Sequence, residues 1–358
     1  MTRFSDMLLF KHKIPLRSST RKITQQYVEY TFANPFLLAF SYIASKCKKR
    51  IFTPTLLDAT SFHMIKSKIV ESDLVQIEEP WLFDWIYKNT PKNKPKILDL
   101  LNVGYFQFVP FAKDMKRREN DAVEKADEIL VVSEDDLLLV CDEHNVDKSK
   151  IHVIPNGVRV AKFRVPSQME KERLKRQLGF GDKKIVLFVG SKHLPNIDSV
   201  NAIHGIASRV TLDNVIFVIA GSVGEWVRRE KRHNILYTGY IDDASPYFMI
   251  ADIAINPMLP SSAHAGGTNL KMLEYLASGL PVITTEIGAR GLLVKNDEHV
   301  LISTVEDFPQ KVEELISDTK KRIRMKRKGR KLVEDHYDWK IIARKILSIY
   351  NKIRARTQ

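Results

Sequence analysis

The chain has 358 residues, 44% of them apolar and 28% charged, and its excess of Lys and Arg gives a formal net charge of +14. It holds two cysteines far apart, Cys47 and Cys141, no run approaching the ~18 apolar residues of a membrane span, and no basic-then-apolar leader. These features exclude a disulfide-stapled scaffold, a Cys/His zinc cluster and a spanning helix, and predict a two-domain cytosolic protein drawn to anionic partners.

Short apolar runs alternate with amphipathic stretches, the rhythm of an α/β protein with parallel strands. Met7–Phe10 reads as a short buried strand leading into the basic polar loop Lys11–Lys22. The pattern then predicts a helix through Tyr30, a second between Pro35 and Lys46, and strands at Ile51–Leu57, Leu74–Ile77 and Ile97–Leu100. Lys113–Ala126 reads as a charged helix. Ile129–Ser133 reads as a strand whose Ser133 caps a helix beginning at Glu134. Ile151–Ile154 is a further strand, closed by the turn Pro155-Asn156-Gly157. The domain boundary falls after Gly157, in the polar stretch Val165–Glu172.

The second half is more regular. Ile185–Val189 is a buried strand, and Asn196 is the expected cap of a helix to Val210 with a stripe of Val200, Ile203 and Ala207. Strands follow at Val215–Ala220, Ile235–Tyr237, Ile253–Asn256 and Pro281–Thr284, with helices near Glu225–Lys231 and Leu270–Ser278. Three helices near 306–317, 320–335 and 339–353 close the chain, the last with a stripe of Ile342, Ile346 and Ile349.

Within Ala265–Thr285 two glycines precede a helix, Gly279 ends it in position for the left-handed conformation, and Pro281 blocks its continuation. Gly266 and Gly267 let the backbone approach a ligand closely. The N–H groups of Thr268, Asn269 and Leu270, unpaired in the first turn, suit a phosphate, and the helix dipole adds about 0.3–1 kcal/mol. Lys271 supplies a mobile positive charge. Glu274, three residues on, shares its face. A carboxylate beside a phosphate needs another task, and accepting hydrogen bonds from ribose hydroxyls is one.

Several segments occur together in one order: Glu128–Asp135, Val153–Val158, Val186–Asn196, Phe217–Ser222, Thr238–Asp243, Ala251–Pro257, Gly266–Gly291 and the helix around Trp339. In this set the chain resembles the GT-B glycosyltransferases, specifically the retaining family 4 with its group 1 domain. The resemblance implies two Rossmann-like domains with a cleft between them: an acceptor domain at 1–160, a nucleotide-sugar domain at 161–337, and a C-terminal helix, 338–358, crossing back to the first. It implies that Glu274 holds the ribose, that Gly267–Leu270 meet the diphosphate, and that Lys271 matches a basic position of one subgroup. Ser191 and Lys192 fall where the family contacts phosphate, Tyr240 and Ile241 where a loop lies along the base, and Arg21 where the first acceptor-domain loop often carries a basic residue. The expected chemistry is metal-independent and needs no cofactor.

Three positions depart from the pattern. Gly266 stands where many relatives have a sugar-contacting glutamate. The histidine that often follows a strand like Ile97–Leu100 is missing, leaving Asp99 or Asn102 as stand-ins. The first loop, Lys11–Lys22, lacks glycine. The leading expectation is transfer of a sugar from a nucleoside diphosphate to an acceptor hydroxyl, as in glycan, glycolipid or polysaccharide synthesis. A non-catalytic nucleotide-sugar-binding subunit and a nucleotide-sugar epimerase are the alternatives. His193 and His264 flank the binding loops, His204 reads as a surface residue, and Asp242-Asp243 reads as a helix cap. Phe36–Ala44 followed by Lys46–Arg50 suits either a buried helix with a basic end or contact with an anionic membrane. The basic run Lys320–Lys331 has no aromatic interleaving that would mark a specific nucleic-acid surface.

Overall fold

The computed structural model describes residues 19–22, 28–31, 62–104, 112–227, 233–260 and 267–357. The expected strands Met7–Phe10 and Ile51–Leu57 and the helix between Pro35 and Lys46 lie outside them. Where a helix through Tyr30 was expected, strands β1 (Ser19–Lys22) and β2 (Val28–Thr31) pair antiparallel. Val28, Tyr30 and Thr31 are β-branched or aromatic, types that favour strands, and this local preference outweighs the weak helical pattern.

A four-stranded parallel sheet follows, in the order β3 (Val75–Glu78), β4 (Lys96–Leu100), β5 (Glu128–Val131), β6 (Ile151–Val153). Its helices are α1 (Phe62–Glu71), α2 (Phe83–Asn89), α3 (Ala112–Lys125) and α4 (Glu134–His144). The expected cap holds: the Asp136 amide donates to Ser133 Oγ at 3.0 Å. Three acidic residues in the first turn of α4 complement its dipole.

The second sheet has six strands: β7 (Lys184–Val189), β8 (Val215–Ala220), β9 (Ile235–Gly239), β10 (Ile253–Asn256), β11 (Val282–Thr284) and β12 (Leu301–Ile302). They lie in the order β12-β11-β10-β7-β8-β9, all parallel. Parallel strands are covered on both faces, and β7 shows why its sequence is a continuous apolar run. Ile185 and Leu187 pack on one side with Met272, Leu273 and Leu276, while Val186 and Phe188 pack on the other with Val200, Ile203 and Phe308. The period-two alternation of a strand thus feeds two cores. Helices α5 (Gln168–Gln177), α6 (Leu194–Arg209), α7 (Ser245–Ile250), α8 (Leu270–Ala277), α9 (Glu286–Ala289), α10 (Phe308–Ser317) and α11 (Thr319–His336) accompany this sheet. The C-terminal α12 (Trp339–Thr357) sets Ile342 and Ile353 against Ile97, Leu130 and Ile154 of the first half. The Tyr350 hydroxyl donates to Gln76 on β3, and Arg356 pairs with Glu128 at 2.8 Å.

Two local expectations change. Helix α6 starts at Leu194 with His193 at its cap and Pro195 in its first turn, a place proline favours. Asn196 therefore lies inside the helix, and its side-chain amide donates to the Ser191 carbonyl at 2.9 Å. His204 is buried, not superficial, and bonds the Tyr237 hydroxyl across to β9. A 3-10 turn spans Ser222–Glu225, and most of the basic helix expected near Glu225–Lys231 falls on residues 228–232, outside the described region. Gly279 ends α8 with φ +67°, as its sequence position predicts.

A cavity at the carboxyl ends of both sheets

Both parallel sheets point their carboxyl ends toward one cavity of about 480 Å³. Asn102 after β4, Ser191 after β7, Asn256 at the end of β10, Arg290 after β11, and residues 267–271 line it. Open α/β sheets bind ligands at this edge because the strand ends and helix N-termini expose backbone groups there.

The glycine loop is held by residues remote in sequence. Gly267 has φ +87°, and a β-carbon on it would sit 2.5 Å from Asn102 Oδ1, so only glycine fits between Asn102 and the loop. Its amide donates to Asp136 Oδ1 at 2.9 Å. Arg290 reaches the Gly267 carbonyl at 3.3 Å, Asn156 donates to Thr268 Oγ1 at 2.8 Å, and the Gly291 amide donates to Asp135 at 3.0 Å. The first turn of α4 and the loops around 267 and 290 thereby clasp the two halves. Burial raises the Asp136 carboxyl, against the Ser133 hydroxyl, the Gly267 amide and the Arg290 charge.

Lys271, one residue into α8, is part-buried, with its ammonium bonded to Asn196 Oδ1 and 4.3 Å from the centre of the Phe188 ring. Burial draws it down to about 7, with Glu274 opposing the shift. The Glu274 carboxyl moves the other way: burial raises it, and Lys271 and Lys162 pull it back. A low-dielectric pocket penalises both charges, and each steadies the other. Asn256 is fully buried, and its Oδ1 has no hydrogen-bond partner among the described residues. An orphaned buried acceptor at a cavity wall is a natural place for a ligand donor or a water.

Of the residues singled out from sequence, Asn102, Ser191, Gly267, Thr268, Asn269, Leu270 and Lys271 line the cavity. Glu274 lies one turn further along α8 and outside the lining. Lys192 instead lays its ammonium over the Trp226 ring, while its amide donates to Ser222 Oγ. Tyr240 is exposed, its amide bonded to Glu225, and Ile241 packs against the core. Asp99 accepts from Gln76 Nε2 at 2.7 Å, away from the lining. Burial, helped by Glu78, pushes its carboxyl up to about 7, against the Gln76 hydrogen bond. Arg21 is a strand residue whose side chain is not among those described, and Gly266 and His264 lie outside the described residues. His193 also lines the cavity. Sequence reasoning missed Asp136, Asn196, Asn256 and Arg290 as site residues.

Residues 183–318 match the family described as Glycosyl transferases group 1. The chain is 26% identical over 226 residues to an uncharacterized glycosyltransferase of Methanocaldococcus jannaschii, a match covering 59% of this chain and 56% of that protein. It is 23% identical over 251 residues to the D-inositol 3-phosphate glycosyltransferase of Corynebacterium efficiens, with 65% and 58% covered. The matches thus span just over half the length of these two relatives. The fold matches that of sucrose-phosphate synthase from Thermosynechococcus elongatus, with a TM-score of 0.68, 15% identity, and 96% and 87% of the two chains covered. It also matches Anabaena HepE in complex with UDP, with a TM-score of 0.68, 14% identity, and 88% and 89% covered.

Proposed function

In fold and sequence this chain is similar to the group 1 GT-B glycosyltransferases, and we propose that it is a retaining, metal-independent glycosyltransferase. It moves a sugar, of hexose type, from a nucleoside diphosphate to an acceptor hydroxyl. The observation that carries the reading is the joining of residues 267–271 with Asn102 and Arg290 in one cavity at the strand ends. Loop amides, Lys271 and Arg290 bring positive potential to one place, where the departing diphosphate develops charge. Glu274 takes the ribose, and Tyr240 and Ile241 flank the base. Residues 1–160 form the acceptor domain and 161–337 the donor domain. Helix α12 belongs with the first, supported by its packing on Ile97 and Leu130.

In a transfer assay with radiolabelled nucleotide-sugars, Glu274→Ala should weaken donor affinity about 10- to 100-fold, the scale of losing hydrogen bonds to a charged acceptor. EDTA should leave the rate unchanged. Unaltered donor affinity in the variant would remove Glu274 from the site, and loss of activity in EDTA would show that a metal serves the diphosphate.

Asp136 gives a second test. Its carboxylate occupies the Gly267 amide that a diphosphate would use, so it competes with the donor electrostatically. Asp136→Asn keeps the shape and removes the charge. It should tighten UDP binding about 100-fold by calorimetry, since two unit charges ~6 Å apart interact by about 3 kcal/mol at an effective dielectric near 20. Weaker binding would mean that the carboxylate supports the loop more than it opposes the ligand.

The alternative is a nucleotide-sugar-binding subunit without turnover. It draws on Asp99, which is turned to Gln76 and so leaves Asn102 as the stand-in for the missing histidine. Donor binding with neither transfer nor hydrolysis across a broad acceptor panel would decide for it.

A further inference from the structure

At the opposite edge of the six-stranded sheet, where β7, β10 and β11 begin, lies a second cavity of about 370 Å³. Lys171 from α5, Lys184 from β7, and Arg322 and Lys326 from α11 line it, with Asp252 as its one acidic residue. The Asp252 oxygens are already committed: they pair with Lys171 at 2.8 Å and Lys175 at 2.6 Å and accept the Ile185 amide at 2.8 Å. Arg322 is committed too, donating to the Leu315 and Ile316 carbonyls and to Thr319 Oγ1. Among the described residues the ammonium groups of Lys184 and Lys326 have no ion pair or hydrogen bond. The Lys326 stem lies so close to the Gly279 turn that a β-carbon there would come within 3.3 Å of its Cγ. Burial draws the Lys326 ammonium below its usual range.

Cations gathered from three elements in a concave, part-buried place, with one acid between them, are unfavourable unless an anion joins them. We infer that this cavity is a second anion site, taking a small phosphate-bearing molecule. A phosphate offers several terminal oxygens to donors arriving from different directions, and lysine serves it as a point charge. The volume is that of a small-metabolite pocket. Helix α8 runs from the first cavity, at Leu270 and Lys271, to the second, at Ser278 and Gly279.

The test is thermal unfolding of the full chain in inorganic phosphate against sodium chloride at equal ionic strength. At phosphate tenfold above its dissociation constant the wild-type midpoint should rise by about 3 °C. The rise should persist in Lys271→Met, which alters the first cavity, and vanish when Lys184→Met and Lys326→Met are added to that variant. The two additions remove unpartnered charges, so they should not lower its midpoint in chloride alone. Amine labelling read by mass spectrometry should show Lys326 protected by phosphate. The proposal is overturned by no midpoint shift in Lys271→Met, by a shift there that survives the two added substitutions, or by unprotected Lys326. It is equally overturned if the two lysines prove to be needed for co-sedimentation with phosphatidylglycerol vesicles, which would assign them to a lipid surface.

Discussion

Replacing Lys271 by methionine is expected to lower turnover by about 10²- to 10³-fold at saturating donor, the scale of losing one preorganised group at a developing charge. Lys271 is the cationic side chain of α8 within the first cavity, fixed by Asn196 and the Phe188 ring. Its pH behaviour sharpens the expectation. Burial lowers its ammonium to about 7, against the pull of Glu274, so the free protein holds much of it as the neutral amine near neutrality. A diphosphate favours the protonated form. Affinity for a nucleotide-sugar, whose diphosphate diester does not titrate in this range, should therefore be full below 7 and fall as pH rises through it. Lys271→Met should bind weakly and show no such slope. A wild-type affinity that rises with pH would contradict the assignment.

The largest effect on stability is expected from Asp252→Ala. This carboxylate bridges Lys171 and Lys175 and accepts the Ile185 amide at the start of the central strand. Removing one partner of a buried ion pair leaves its cations uncompensated and costs about 3–5 kcal/mol. The thermal midpoint should drop by roughly 10 °C. Burial works to raise the Asp252 carboxyl, but the two lysines outweigh it and hold the group below its usual 3.8. The folded carboxyl thus releases its proton more readily than the unfolded one. The wild-type advantage should be fully present above about pH 4 and fade as pH falls through the depressed value. Urea unfolding of both proteins from pH 7 to pH 2.5 reads this directly, and a constant difference across the range would contradict it.

The second half was largely legible because its physics is local. Runs such as 185–189 and 215–220 are apolar on both faces, and a strand buried on both faces must be. Gly279 and Pro281 mark the end of α8 through backbone preferences that hold in any context. What escaped is what only tertiary contact creates. His204 looks polar on a helix surface until Tyr237 arrives from β9 to bond it. Asp136 looks like an ordinary first-turn acid, but its other oxygen meets the amide of Gly267. Asn256 looks like a strand end until Thr284 of the neighbouring strand and Gly288 close over it. Lys192 looks like a phosphate contact from its loop, and the ring of Trp226 offers it another partner.

Gly267–Glu274 is the proposed seat of a nucleoside diphosphate. The most direct measurement is a thermal-shift and calorimetric panel of uridine and guanosine diphosphates and their sugars, run on the wild-type chain and on Lys271→Met. One nucleotide family should raise the wild-type midpoint by mass action, with affinity lost at least tenfold in the variant. Absence of binding by every nucleotide, or binding that ignores Lys271, would contradict it.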